Sequence, residues 1–97
     1  MELLACFGEG LQRARRSRGL TQEDFSVVSS RTYLSSLERG IKAPTILKLE
    51  GIASVIEVHP LTLLALAYLV DAPQQQEALF AQIASEISSI LQGADSE

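Results

Sequence analysis

The sequence is poor in the residues that mark several large classes of protein. It has one cysteine, no tryptophan and few other aromatic side chains, two Tyr and three Phe, among 97 residues. The single cysteine, Cys6, cannot form a disulfide framework, and the first residues lack the basic region that begins a secretory leader. We therefore expect one small domain in a reducing, cytoplasmic environment.

Groups that carry catalysis or bind metals are equally scarce. The single histidine, His59, precedes Pro60 with no cysteine or other histidine near it, so we expect it to cap a helix or lie on the surface. There is no Gly-rich phosphate loop, no paired histidine and carboxylate, and no partner that would activate Cys6. The sequence predicts a protein that is not an enzyme and has no metal, cofactor or evident small-molecule ligand.

One apolar run, IASVIEVHPLTLLALAYLV, is long enough to suggest a membrane span. Glu57, His59 and Pro60 stand at its centre, where charged, polar and helix-breaking residues argue against a span. We expect two buried helices here and no membrane association.

Basic residues are absent from the second half of the chain. All eight Lys and Arg residues fall within residues 13–48, where three acidic residues leave a net charge of +5, whereas the residues from Leu49 onward carry −7. Such segregation predicts a face that binds a polyanion. The alternative is that these charges merely cluster on a solvated surface.

Apolar residues recur at helical spacing through most of the chain, and no segment predicts a strand. A first helix is predicted over residues 4–18 and a third over residues 31–39, which Gly40 ends in a left-handed conformation. Between them, Thr21 followed by Asp24 resembles a capping box and predicts the start of a second short helix.

The predicted third helix has short polar side chains on one face. Ser30 can cap this helix, and Leu34 and Leu37 are predicted to face the core. Exposed helices usually carry Lys and Glu, so a Thr- and Ser-lined face is typical of a helix narrow enough to enter a groove of DNA. A merely polar surface is the alternative. The outward residues are Arg31, Thr32, Ser35, Ser36 and Arg39.

Three more helices complete the prediction. A fourth follows Thr45, a fifth begins at Pro60, and a last covers residues 74–92 before a frayed tail from Gly93. The last helix has a seam two heptads long, too short for a freestanding coiled coil, so it should pack with the fifth helix or with a second chain. The buried stripe of the fourth helix is Ile46, Leu49, Ile52, Ala53 and Ile56, and the seam is Phe80, Ile83, Ile87 and Ile90.

Residues 7–69 resemble the Xre family of helix-turn-helix regulators, the lambda-repressor and Cro-like DNA-binding domains. The resemblance rests on RxxxGLTQEDF, then SRTYLSSLERG, then a Pro-Thr start to the next helix. It implies an all-α fold, with a five-helix lambda-repressor-like bundle in residues 1–70. The C-terminal amphipathic helix in residues 71–97 lies beyond the resemblance, and its apolar seam predicts a dimerisation element. The resemblance also implies a sequence-specific transcriptional regulator, a repressor or autoregulatory switch, that binds a palindromic site in double-stranded DNA as a homodimer.

The resemblance further implies roles for matching residues. Those expected to read bases are Arg31, Thr32, Ser35 and Ser36; those expected to contact phosphate are Gln22, Arg39 and Lys42; Arg15 and Glu38 are expected to form a structural ion pair.

Two points stay open in the sequence. The segment between Gln22 and Arg31 is about two residues shorter than the common family pattern, and VVSS stands where the family has a glycine. Either the second helix or the turn must therefore be shorter. The alternative function is a protein-interaction module of the same fold, an antitoxin or anti-regulator that acts through a partner protein.

Overall fold

A computed structural model describes residues 2–95, and the regular secondary structure in this range is helical. The predicted all-α fold class is confirmed. Five α-helices and two short 3-10 helices follow one another along the chain. The α-helices are α1 (Leu3–Ser17), α2 (Arg31–Glu38), α3 (Ile46–Ile56), α4 (Pro60–Leu69) and α5 (Gln76–Asp95), and the 3-10 helices are Gln22–Phe25 and Pro73–Gln75.

The predicted second helix is a single 3-10 turn, Gln22–Phe25. The Asp24 carboxylate accepts hydrogen bonds from the backbone N–H of Thr21 at 2.7 Å and from its hydroxyl at 3.1 Å, so the predicted capping interaction is present. Beyond Phe25 the chain forms a turn over residues 26–30 before α2 begins. The shortening that the sequence left open therefore falls on this helix.

Side-chain caps begin four of the α-helices. The Glu2 carboxylate caps α1 by accepting a hydrogen bond from the backbone N–H of Leu4 at 3.1 Å. The hydroxyls of Ser30 and Thr45 each accept a hydrogen bond from the backbone N–H three residues further on, at 3.0 and 3.1 Å. Nδ1 of His59 accepts one from the N–H two residues on, at 3.0 Å, which confirms the capping role expected of this histidine. Gly40 has a φ of +74° after α2, as predicted for a left-handed cap.

Helices α1 to α4 surround one apolar core, to which the 3-10 turn contributes Phe25. The α1 and α2 backbones come into direct contact at Gly8. A Cβ at this position would lie 2.6 Å from the Leu37 carbonyl oxygen and 2.5 Å from that of Glu38. The core residues are Phe7, Leu11, Phe25, Leu34, Leu37, Leu49, Ile52, Ala53, Ile56, Leu63 and Ala67.

The buried stripe predicted for α3 is wrong at its first residue. Ile46 is 84% exposed, whereas the other four members of the stripe are buried. Ile46 opens the helix directly after the Thr45 cap, at the edge of the core, where no other helix covers it. In α4, the predicted fifth helix, Leu61, Leu64 and Tyr68 are also exposed. Nearly all α4 residues are apolar, so spacing alone cannot show which of them face inward.

Helix α5 extends from the body of the protein. Within residues 76–93 only Leu79 is even partly buried, and the four residues of the predicted seam are all exposed. The helix continues to Asp95, so the tail predicted to fray from Gly93 is helical over residues 93–95; Ser96 and Glu97 lie outside the described residues.

Across residues 2–95, no helix by itself has the length and apolar character to cross a bilayer. Only α3 and α4 taken together meet that test, and they are bent by 95° at the break between them.

Cys6 is buried in α1 and joins it to the end of α4. Its thiol donates a hydrogen bond to the Asp71 carboxylate, with Sγ 3.3 Å from Oδ2. Burial raises the pKa of the Cys6 thiol, and the hydrogen bond to Asp71 and its charge raise it further. A raised pKa keeps the group protonated at neutral pH, so this thiol is a poor nucleophile.

We expect Cys6 to react with iodoacetamide at pH 8 roughly tenfold or more slowly than an unperturbed thiol, because little of it is thiolate and little is accessible. Asp71→Asn should speed the reaction at the same pH, since removing the carboxylate lowers the pKa. Mass spectrometry of quenched samples gives the rates, with denatured protein as the reference. A native rate equal to the denatured rate would contradict this account.

Candidate DNA-binding surface

The outward face of α2 brings together most residues predicted to contact DNA. Arg31 and Thr32 are exposed, and Ser35 and Ser36 are half-buried one turn later. Six side chains line one shallow depression: Gln22, Arg31, Thr32, Ser35, Ser36 and Arg39. Helical spacing produces this grouping, because residues three and four apart share a face.

The charges on this surface are free for an external partner. Among the described residues, no carboxylate lies within salt-bridge distance of Arg31 or Arg39. The ion pairs within residues 2–95 are Arg13–Glu9 and Arg15–Glu38. Lys42, also predicted to contact DNA, does not line the depression. Its Nζ lies 5.9 Å from the centroid of the Tyr33 ring.

A buried ion pair fixes the C-terminal end of α2 to α1. Arg15 Nε lies 2.7 Å from Glu38 Oε2, and Nη2 lies 2.9 Å from Oε1, a bidentate arrangement. The third contact of the guanidinium is the Leu20 carbonyl oxygen, at 2.9 Å. The side chains are only 10% and 2% exposed. The hydrogen bond to Glu38 raises the pKa of Arg15 against the opposing effect of desolvation, so the guanidinium stays charged.

Gln22 belongs to the same network. Its Nε2 donates to Glu38 Oε1 at 3.2 Å, so the side chain lies against Glu38. The second hydrogen on that nitrogen remains able to donate to a ligand. Gln12 Nε2 is 3.5 Å from the same carboxylate oxygen. The sequence reasoning missed Gln12, although its position three residues before Arg15 places it on the same face of α1.

Lys48, which lies next to α2, was also missed. Lys48 Nζ donates to the Val28 carbonyl oxygen at 2.7 Å and lies 5.6 Å from the Tyr33 ring centroid. These contacts join α3 to both sides of the α2 N-terminus. No local sequence pattern predicts them, because they link residues 20 and 15 positions apart.

A short turn and a helix, packed on a helical core with basic and hydroxyl side chains facing outward, define a helix-turn-helix module. The sequence model of the family described as "Helix-turn-helix" matches residues 11–63, more than half of the chain. The chain belongs to this helix-turn-helix family, whose members of the Xre and lambda-repressor type are DNA-binding transcriptional regulators. Family membership, and not the lack of catalytic groups, confirms that the protein is a regulator and not an enzyme.

Individual proteins extend this comparison. The chain is 42% identical over 60 residues to an uncharacterised HTH-type transcriptional regulator, y4dJ, of Sinorhizobium fredii (strain NBRC 101917 / NGR234); the match covers 60% of this chain and 78% of the relative. The fold of the present chain is similar to the crystal structure of the restriction-modification controller protein C.AhdI from Aeromonas hydrophila, with a TM-score of 0.59 and 27% identity. That match covers 62% of this chain and 94% of C.AhdI. The family match ends before α5 begins.

Proposed function

We propose that the protein controls transcription by binding a twofold-symmetric operator as a homodimer, as a repressor or autoregulatory switch. The observation that carries the proposal is the outward face of α2, where unpaired arginines and short hydroxyl side chains share one depression. The likeness to a restriction-modification controller protein favours a switch of this kind. A regulator of this kind works where the DNA is, which agrees with the expected cytoplasmic location.

The chemistry of this face suits a duplex. Arg31 can make a bidentate contact with the major-groove edge of guanine. Thr32, Ser35 and Ser36 are short, so they can reach bases by single hydrogen bonds, through water or by contact with thymine methyl groups. With so few long side chains, the shape of the DNA should carry part of the selectivity.

Phosphate contacts supply the remaining affinity. Arg39 is exposed at the end of α2, and Gln22 lies at the edge of the same depression with one amide hydrogen free. Lys42 lies beyond α2, beside Tyr33, where its ammonium can approach the DNA backbone next to the groove. Contacts of this type orient the protein on DNA and make its affinity depend on salt.

In this proposal, the second copy of the chain in the homodimer binds the surface formed by α4 and α5. These helices border an apolar groove of about 570 Å³, lined on the α4 side by Leu61, Leu64 and Tyr68. Phe80 and Ile83 line its other side, and Ile87 and Ile90 continue the same exposed seam along α5. A contiguous apolar surface of this kind marks an interaction site.

Three features make a second copy of this chain the best occupant. The surface contains both the apolar seam of α5 and the apolar groove. The seam of each copy can therefore fill the groove of the other in a closed twofold contact. Glu86 is the single charged residue in the groove lining, so self-pairing brings few like charges together. A dimer also meets the geometric demand of two half-sites one helical turn, roughly 34 Å, apart. We therefore propose residues 1–70 as the DNA-binding domain and residues 71–97 as the dimerisation element.

Arg31→Ala should change which sequence the protein prefers, whereas Lys42→Ala should weaken binding to all sequences evenly. Losing a bidentate guanine contact removes roughly 1–3 kcal/mol of discrimination at one base pair, or about 5- to 150-fold. Losing one phosphate contact lowers the salt slope by about one. Fluorescence anisotropy on an operator selected from random duplexes, and on single-base variants of it, measures both effects.

Ser85→Ala, an exposed position on α5, serves as the control and should change neither quantity. The assignment of Arg31 fails if its alanine variant weakens every duplex by the same factor.

A further inference from the structure

We infer that Lys48 is a positioning residue for α2: from α3 it holds the short, glycine-free turn that precedes α2 and thereby sets sequence discrimination without touching DNA. This inference rests on the proposed function, because it concerns how the base-reading end of α2 is held. It assigns a role to a cation that is separate from the DNA-contacting set.

The turn before α2 has few restraints of its own. It comprises residues 26–30, and Val27 within it is 84% exposed. The backbone N–H groups of Val28 and Ser29 both donate to the Phe25 carbonyl oxygen, at 3.0 and 2.9 Å. The Val28 carbonyl accepts from no backbone N–H of residues 2–95; its partner is Lys48.

Lys48 is well placed to hold this turn. It lies in the first turn of α3, where its own backbone N–H donates to the Thr45 cap at 3.1 Å, so the base of its side chain is fixed. Its half-buried side chain brings Nζ to 2.7 Å from the Val28 carbonyl oxygen and 5.6 Å from the Tyr33 ring centroid. The Lys48 ammonium thus contacts Val28 just before α2 and the Tyr33 ring in the first turn of α2.

A steric contact reinforces the polar one. Gly51 lies three residues after Lys48, on the same face of α3, and a Cβ there would come within 3.3 Å of Val28 Cβ. The turn therefore rests on the bare backbone of α3 at Gly51 while Lys48 holds its carbonyl. An alanine at this position would require Val28 to shift by a few tenths of an ångström.

The two ends of α2 are consequently fixed by different partners. Gly8 and the Arg15–Glu38 pair hold the C-terminal end, and the α3 contacts hold the N-terminal end, where Arg31 and Thr32 are exposed. Helix-turn-helix proteins read bases from the N-terminal residues of this helix. A binding geometry must be held to within about 0.5 Å, so loosening this end should reduce discrimination first.

The test compares Lys48→Met, Lys48→Arg and Lys42→Met. Methionine keeps the length of the apolar stem and removes the ammonium; arginine keeps a cationic donor; Lys42 is the matched control, because it lies over the same Tyr33 ring but is exposed. Affinity for the selected operator and for a scrambled duplex of equal length is measured for each protein at several salt concentrations.

We expect Lys48→Met to lower the ratio of operator to scrambled affinity about tenfold, while its affinity for the scrambled duplex stays within about twofold and its salt slope stays that of the wild type. Lys48→Arg should recover most of the ratio. Lys42→Met should weaken both duplexes equally and lower the slope by about one. If Lys48→Met instead behaves like Lys42→Met, Lys48 is a phosphate contact and the inference is overturned; an unchanged ratio overturns it as well.

A second variant separates positioning from unfolding. Gly51→Ala changes no charge but displaces Val28, so it should also lower the ratio while circular dichroism at the assay temperature shows full helicity. If neither variant changes the ratio while the wild type still prefers its operator, the inference fails and the proposed function stands. If the wild type prefers no sequence, both fail.

Discussion

Replacing Glu38 with alanine is expected to lower the free energy of unfolding by about 3–5 kcal/mol. The carboxylate is 2% exposed and makes the bidentate contact with Arg15 that joins α1 to the end of α2. Its removal leaves a buried guanidinium whose remaining contact is the Leu20 carbonyl, and it also deprives Gln22 of its acceptor. An unpaired buried charge is far more costly than the net stabilisation of the pair itself.

Urea unfolding at one fixed protein concentration measures this effect, since the proposed dimerisation would make stability depend on concentration. Glu9→Ala is the matched control, because Glu9 pairs with Arg13 at 3.2 Å on the surface and should change stability by no more than about 1 kcal/mol. The double variant Arg15→Met with Glu38→Leu should recover part of the loss by removing the unpaired charge. A loss for Glu38→Ala as small as that for Glu9→Ala would contradict a structural role for the buried pair.

Ile87→Glu is expected to convert the proposed dimer to a monomer. Ile87 is 50% exposed in the single chain and lies in the middle of the α5 seam, so the glutamate is solvated in the monomer but would have to enter the apolar contact in the dimer. We expect the dimer dissociation constant to rise on the order of a hundredfold or more, because the substitution both removes apolar contact and buries a charge. Operator affinity should fall with it, since each half-site alone offers few contacts.

Sedimentation velocity at micromolar protein provides the measurement. Ser85→Glu adds the same charge to the same helix two positions away from Ile87, off the seam, and should leave the dimer intact. If Ile87→Glu sediments as the wild-type dimer does, the α5 seam is not the contact between copies. If Ser85→Glu also gives monomers, the effect is one of charge on α5 and not of the seam.

The sequence predicts the parts of this fold that neighbouring residues determine, and it fails where packing between distant elements decides. Caps at Ser30, Thr45 and His59 and the left-handed Gly40 are set by residues close in the chain, and the structure contains all four. The extent of the second helix could not be predicted, because a capping pattern at Thr21 indicates where a helix begins but not how far it continues. In α4, where nearly every residue is apolar, the packing of neighbouring helices decides which side chains are buried.

The candidate site shows the same division. One face of α2 follows from helical spacing, so Arg31, Thr32, Ser35 and Ser36 can be grouped from the sequence alone. The hydrogen bonds of Gln22 with Glu38 and of Lys48 with the Val28 carbonyl cannot be predicted from the sequence, since both arise from how separate elements pack. The residue roles proposed for DNA binding come from resemblance to the family.

Selection of bound sequences from a pool of random duplexes, run at two salt concentrations, tests the central claim most directly. We predict enrichment of one twofold-symmetric motif with half-sites about one helical turn apart, and a steep loss of affinity at the higher salt. The motif itself should be the same at both concentrations, because phosphate contacts supply affinity while the outward face of α2 supplies discrimination. A pool that remains random at both concentrations would contradict the account.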